Sequence, residues 1–336
     1  MASDRPRRMF HPLLAGLLGM WLGQRATRFW LAGGQRRPTR PLPATAVAAG
    51  PVSITTTAGI RIHGIQTGVL AIKTAHAAVR APGLLRFVSI VLDPHWSPLL
   101  PVLTWVIEHP TGLVVVDTGE VAAASDSDSY MAADPVNRWI YARNIPLFVT
   151  PAEELATQMR SLGLDPAAVR TVVLTHLHGD HTGGLGAFPN ATFLVARAEY
   201  EGQLRQPFGA VASLWPIGWL PQLVDYTGPA VEPFLASYSL TPTGDLTIVP
   251  TPGHSYGHQS VLLHDGDCSY LFAGDLAFSE AQLLASGLQG IAYDLEAARR
   301  TLEQTLAFTR RTPTVFLPSH DPQALERFAR RATVVR

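Results

Sequence analysis

Short runs of apolar and β-branched residues recur along this chain, and several end in residues that carry chemistry. Arg170-Thr171-Val172-Val173-Leu174 is one such run. Leu246-Thr247-Ile248-Val249, Tyr270-Leu271-Phe272-Ala273 and Val315-Phe316-Leu317 are others. Each is short, rich in strand-forming side chains and bounded by Gly, Pro or polar residues, which predicts a buried strand. Residues 60–117 read as mostly strands with turns. Helices are expected in three places. The stretch 151–164 has Thr150 as N-cap, Pro151 at the first helical position, and Glu153 and Glu154 near the positive end of the helix dipole. The stretch 295–310 follows Asp294 as a cap, and 322–331 forms the third. Strands, a helix and strands again, with polar groups at the strand ends, predict an α/β fold: two packed sheets flanked by helices. No internal repeat is visible.

The strand ends supply the chemistry. After Leu174 the chain reads Thr175-His176-Leu177-His178-Gly179-Asp180-His181. With only 12 His in 336 residues, three imidazoles and a carboxylate in six positions are not a chance grouping. Imidazole and carboxylate suit zinc, iron, manganese or cobalt. Four such groups this close cannot all reach one ion without strain, but they can serve two adjacent ions. More ligands are then needed, and three later strand ends offer them. Pro252-Gly253 turns the chain sharply into His254, Gly274 precedes Asp275, and Pro318-Ser319 precedes His320. Strand-end loops are where α/β folds place their chemistry.

These pieces together resemble the metallo-β-lactamase superfamily: 175–184 (THLHGDHTGG), 251–258 (TPGHSYGH), 272–275 (FAGD) and 317–321 (LPSHD). Leu113-Val114-Val115-Val116-Asp117-Thr118-Gly119 looks like the superfamily's N-terminal strand and Asp-Thr-Gly turn. The resemblance covers roughly residues 60 to 325 and implies an αββα four-layer sandwich, two mixed sheets flanked by helices. Within the superfamily the chain looks most like the N-acyl-homoserine lactonase-like, quorum-quenching branch. Gly257-His258-Gln259-Ser260, Leu317 to Asp321 and Thr104 to Pro110 carry that finer likeness.

The resemblance implies roles for particular residues. His176, His178 and His254 would hold one divalent ion, by default zinc, and Asp180, His181 and His320 a second. Asp275 would bridge both together with a water or hydroxide that attacks a lactone or ester carbonyl. Asp180 or Asp275 would carry the proton to the leaving oxygen. Asp117 would orient a ligand imidazole or the cluster loop; otherwise it is a turn residue. In lactonases of this branch a Tyr three residues after the bridging Asp points at the substrate. Here that position is Phe278, which donates no hydrogen bond, so another donor substitutes, with Tyr256 and Tyr293 as candidates, or the substrate differs. A thioesterase resembling glyoxalase II, or another ester hydrolase on the same fold, is the alternative reading. The segment 208–238 holds Phe208, Trp215, Trp219, Tyr226, Phe234 and Tyr238 among four prolines. It reads either as an aromatic lid suited to an acyl chain or as an irregular loop packed on the core.

Composition narrows the classes. Hydrophobic residues make up 47% of the chain and charged residues 15%, which supports a large core. The formal net charge is zero, so no nucleic-acid footprint appears. Cys268 is the sole cysteine, which excludes an intramolecular disulfide; its apolar surroundings predict a buried thiol away from the ligands. Residues 1–50 differ from the rest. Eight arginines face one acid, Asp4, in residues 1–41, and 12–23 is almost wholly apolar. This stretch is too short to span a bilayer comfortably. It fits the core of a signal peptide, and Arg7-Arg8-Met9-Phe10 resembles a twin-arginine pattern. Export to the periplasm is therefore expected ahead of a membrane-surface anchor, with 35–50 as a linker and 51–336 as the hydrolase domain. A homodimer is compatible with all of this.

Overall fold

The computed structural model describes residues 50–203 and 209–334. The basic and apolar segment that precedes Gly50, on which the expected export signal and linker fall, and Phe208 in the aromatic segment lie outside them. The first sheet holds β1 (Val52–Thr55), β2 (Arg61–Leu70), β3 (Leu100–His109), β4 (Gly112–Val116), β5 (Leu147–Phe148), β6 (Val169–Val173), β7 (Thr192–Ala196) and β8 (Gln222–Val224). Its order is β1-β2-β3-β4-β6-β7-β8, with β5 paired to β2. The pairs from β1 to β4 are antiparallel and those from β4 to β8 parallel. The second sheet holds β9 (Tyr238–Ser239), β10 (Leu246–Pro250), β11 (Gln259–Asp265), β12 (Cys268–Gly274) and β13 (Thr314–Pro318), in the order β13-β12-β11-β10-β9. Only β12 and β13 pair in parallel there.

Alternation along the strands builds the layers, because successive side chains point to opposite faces. Trp105 and Ile107 enter one cluster between the sheets, and Val106 enters another on the outer face of the first sheet. Phe272 faces inward while Leu271 and Ala273 face outward, and Val315, Phe316 and Leu317 alternate in the same way. The outer cluster of the first sheet is closed by the helix Leu155–Ser161, through Leu155 and Met159. That of the second sheet is closed by the helix Leu295–Arg311, through Leu302 and Phe308. Burial on both faces explains the near-continuous apolar runs. The result is the expected α/β sandwich of helices, sheet, sheet and helices. Trp105 sits in the inner layer, its ring centre 5.4 Å from that of Phe272 and 5.1 Å from that of Phe328.

Several local expectations need correction. Residues 71–99 are not strand: a helical turn spans Thr74–Ala77 and a helix spans Leu85–Leu92. Asp93 closes the first turn, accepting hydrogen bonds from Thr74 Oγ1 and the Ala75 amide, both at 2.7 Å. The helix expected from Pro151 starts at Leu155. Glu153 folds back to accept from both the Thr150 amide and hydroxyl at 2.7 Å, which holds 150–153 in a turn. The helix from Asp294 forms as read, and Asp294 accepts from the Glu296 and Ala297 amides. The last helix is Ala324–Arg330, shorter than expected because Asp321 holds the preceding turn through the Gln323 amide. Cys268 is half-buried rather than buried, at the opposite end of β12 from Asp275. Among the described residues no helix is long and apolar enough to cross a membrane.

Candidate metal centre

Four strand ends converge on one edge of the sandwich. The loop after β6 carries His176 and His178 and runs into the helical turn Gly179–Thr182, which bears Asp180 and His181. The loop after β10 carries His254, β12 delivers Asp275 and β13 delivers His320. One ligand atom each from His176, His178 and His254 lies within 4.8 Å of the others, and the same holds for Asp180, His181 and His320. Asp275 lies between the two triads. Its Oδ2 is 3.4 Å from His254 Nε2 and 3.9 Å from His176 Nε2. Its Oδ1 is 3.3 Å from His320 Nε2 and 3.5 Å from His181 Nε2. Asp180 Oδ2 approaches His320 Nε2 at 3.2 Å.

The far side of three of these imidazoles is fixed by a hydrogen bond, which sets the tautomer and turns a lone pair inward. His181 Nδ1 meets Asp117 Oδ2 at 2.8 Å, His254 Nδ1 meets Gln289 Oε1 at 2.7 Å, and His320 Nδ1 meets the Pro101 carbonyl at 2.8 Å. Asp117 also accepts from the Thr175 amide at 2.7 Å and the Thr175 hydroxyl at 2.8 Å. One carboxylate thus holds both the loop that starts the cluster and a ligand within it. Asp117 does so from a left-handed backbone conformation, φ 58°.

A metal ion fits this donor set on the structure's own terms. His176 Nε2, His181 Nε2 and Asp275 Oδ1 are sealed from solvent and have no hydrogen-bond partner. Orphaned polar atoms of this kind are rare and costly in a native interior. His178 Nδ1 lies 3.1 Å from His254 Nε2. Since His254 spends its ring proton on Gln289, its Nε2 is an acceptor, and a shared cation relieves the crowding of two such lone pairs. The electrostatics agree. Burial, then the neighbouring imidazoles, push His176 well below its ordinary value, and burial brings His178 down to about 3. Burial opposes charge on His320 as well, yet Asp275 and Asp180 raise it to about 10. Against the same burial, Asp117, Asp275 and Asp180 hold His181 well above the usual imidazole range. The carboxylates therefore draw positive charge into the centre of the cluster.

Sequence reasoning missed several supporting residues. Glu199 is fully buried and joins two ligand loops: it accepts from the Leu177 amide at 3.1 Å, the Ser255 hydroxyl at 2.7 Å and the Gly257 amide at 2.8 Å. An added Cβ at Gly257 would meet the Glu199 amide nitrogen at 2.2 Å, so this approach requires glycine. Gln289 joins His254 to the Asp275 carbonyl, to which its Nε2 donates at 2.8 Å. His258 accepts the Asp275 amide at Nε2, 2.9 Å away, and its Nδ1 meets Thr251 Oγ1 at 2.9 Å. His258 was visible inside the TPGHSYGH motif; Glu199 and Gln289 lie in stretches with no signature. His76, on the turn Thr74–Ala77, is also buried beside the cluster, and burial pushes its ring down to about 3.

Phe278 is buried against the ligands, its ring centre 5.8 Å from that of His254 and 5.6 Å from that of His320. Tyr256 and Tyr293 are partly exposed and pair with each other, ring centres 4.5 Å apart. The described rings of the aromatic segment pack on the core. Trp215 and Trp219 lie against Tyr200 and Phe193, Phe234 packs on Phe308, and the Tyr226 hydroxyl donates to Gln259. Gly209 comes close to the cluster: an added Cβ there would meet the His178 ring at 2.4 Å.

Residues 97–320 match the family model of the metallo-beta-lactamase superfamily. The chain is 30% identical over 242 residues to the N-acyl homoserine lactonase AttM of Azorhizobium caulinodans, an alignment covering 68% of this chain and 85% of that one. A solved N-acyl homoserine lactone hydrolase, with N-hexanoyl-L-homoserine bound at its catalytic metal centre, superposes with a TM-score of 0.62 at 20% identity, covering 83% of this chain and 96% of that one. The dizinc quorum-quenching lactonase AidC superposes with a TM-score of 0.57 at 15% identity, covering 82% and 92%.

Proposed function

Because the chain belongs to the metallo-beta-lactamase superfamily, we propose that it is a dinuclear metal-dependent hydrolase that opens lactones, with N-acyl homoserine lactones as its substrate class. The observation that carries the reading is Asp275, whose two carboxylate oxygens each face a different pair of imidazoles. His176, His178 and His254 would hold one ion, Asp180, His181 and His320 the other, and Asp275 both. Zinc is the ion that the donor set favours, with iron, cobalt and manganese sharing its ligand types. Bound there, divalent ions supply a water nucleophile at neutral pH and Lewis-acid polarisation of the ester carbonyl.

The chain's own groups do the rest. Water adds through oxygen to the carbonyl carbon, the ring C–O bond breaks, and one proton passes to the released alkoxide, giving a hydroxy acid. Asp275 and Asp180 are the carboxylates placed to carry that proton. Asp117, Gln289 and the Pro101 carbonyl keep His181, His254 and His320 in the tautomer that presents Nε2 inward. Phe278 gives the site an apolar wall. No Ser or Cys nucleophile is needed, and Cys268 is remote along its strand.

The test is turnover by the metal-loaded protein of a panel: an N-acyl homoserine lactone, a simple γ-lactone, an aryl ester and S-lactoylglutathione, with His178→Ala beside it. Lactone turnover that His178→Ala abolishes supports the proposal. Thioester turnover without lactone turnover would replace it with the thioesterase reading.

A further inference from the structure

The reading above leaves the His76 side chain without a task. It is 7% exposed. Buried polar groups are normally hydrogen-bonded, yet neither ring nitrogen of His76 has a protein partner among the described residues. Nor is either nitrogen among the atoms sealed from solvent, as His176 Nε2 and Asp275 Oδ1 are. The ring is therefore enclosed at its edges while its nitrogens stay reachable.

Its place is fixed. The ring centre of His76 lies 6.1 Å from that of Phe278, and Phe278 touches one imidazole of each triad. The charged groups that act on His76 are His254, Asp275, Asp180 and His320, all of the cluster. Gln282 locks the two rings in register, accepting from the Phe278 amide and donating to the Ala77 carbonyl, both at 2.8 Å. The Ile291 amide donates to the His76 carbonyl at 3.2 Å. Gly290 packs so tightly on Ala75 that an added Cβ would lie 1.9 Å from its carbonyl oxygen. By contrast, the two tyrosines expected to supply a donor pack on each other, ring centres 4.5 Å apart, and are 40% and 42% exposed.

Resting on the lactone-hydrolase reading, we infer that His76 donates a hydrogen bond to an oxygen of the bound lactone, a task the phenyl ring of Phe278 cannot perform. A neutral imidazole keeps one N–H donor, which is sufficient. The site thereby carries its donor on the turn Thr74–Ala77 instead of on the loop after Asp275.

The experiment compares wild type, His76→Phe, His76→Gln and the double variant His76→Phe/Phe278→Tyr, all metal-loaded. It reads kcat/KM for N-hexanoyl-homoserine lactone, the Kd of ring-opened N-hexanoyl-homoserine by calorimetry, metal content and Tm. The inference expects His76→Phe to lose at least about tenfold in kcat/KM, the scale of one lost donor, and to weaken product binding, with metal content and Tm held. It expects His76→Gln, which keeps an N–H, to recover most of the loss, and Phe278→Tyr to restore activity in the double variant. Wild-type kcat/KM in His76→Phe, or a loss that neither the Gln nor the Tyr variant repairs, overturns the role of His76 alone. A wild type that neither turns over the lactone nor binds its product overturns the lactone-hydrolase reading, and this role with it.

Discussion

Asp117 shows how much one carboxylate can organise. It receives the Thr175 amide, the Thr175 hydroxyl and His181 Nδ1 while standing at φ 58°. Asn tolerates that left-handed conformation, so Asp117→Asn removes the charge and leaves the backbone path intact. We expect a drop of roughly ten- to a hundred-fold in metal affinity or kcat/KM, read by metal titration and by lactone kinetics; wild-type values in both would show that Asp117 is only a turn residue. The seven candidate ligands were legible in the sequence because four of them crowd into one loop and the others each follow a strand. Glu199, Gln289 and His76 were not, because each reaches the cluster from a distant stretch and no spacing rule joins a lone Glu, Gln or His to ligands elsewhere in the chain.

At the scale of elements, turns place the ligands. Gly253, φ 140°, which leads into His254, packs against the first turn of the helix Leu295–Arg311, and an added Cβ would lie 2.4 Å from the Ala298 amide nitrogen. Gly253→Ala should therefore cost about 2–4 kcal/mol in denaturant unfolding, with activity falling too as His254 shifts. Asp265, at the turn between β11 and β12, ties the second sheet to the turn after β1 by accepting from the Thr57 hydroxyl and from the Thr57 and Ala58 amides. Burial alone would raise its carboxyl, but these hydrogen bonds hold it below its ordinary 3.8. With the folded value depressed, the contribution is present above pH about 4 and is lost as pH falls through the folded value. Asp265→Asn should cost roughly 1–3 kcal/mol at pH 7, and urea melts at pH 7 and near pH 3 should show that gap narrowing in acid. An equal gap at both would contradict the account. The strands were readable from alternation and length. The helix Leu85–Leu92 was not: it is apolar nearly throughout, with Leu85, Val91 and Leu92 exposed while Arg86 is buried, so hydrophobicity does not mark its buried face. The misplaced start at Pro151 has a similar origin, since Thr150 and Glu153 satisfy each other before any helix begins.

For the whole molecule, the αββα layers exist to hold four strand ends on one edge, and the interior between the sheets is the common support. Trp105, 2% exposed at the centre of that layer, should cost about 3–5 kcal/mol as Trp105→Ala, measured by chemical unfolding. Metal is the other global term. Ions that bind only the folded chain stabilise it by mass action, about 3–4 kcal/mol when free metal exceeds Kd by roughly 100- to 1,000-fold. Chelation should lower Tm in wild type and leave Asp275→Ala nearly unmoved, since that variant loses the one group that faces both triads. The most direct single test is a back-titration of chelator-treated protein with Zn2+, following bound metal and N-hexanoyl-homoserine lactone turnover in the same samples. The account predicts that turnover rises with bound zinc and reaches its plateau at two equivalents per chain. Full turnover in the chelated protein, or two equivalents bound with no lactone opened, would contradict it.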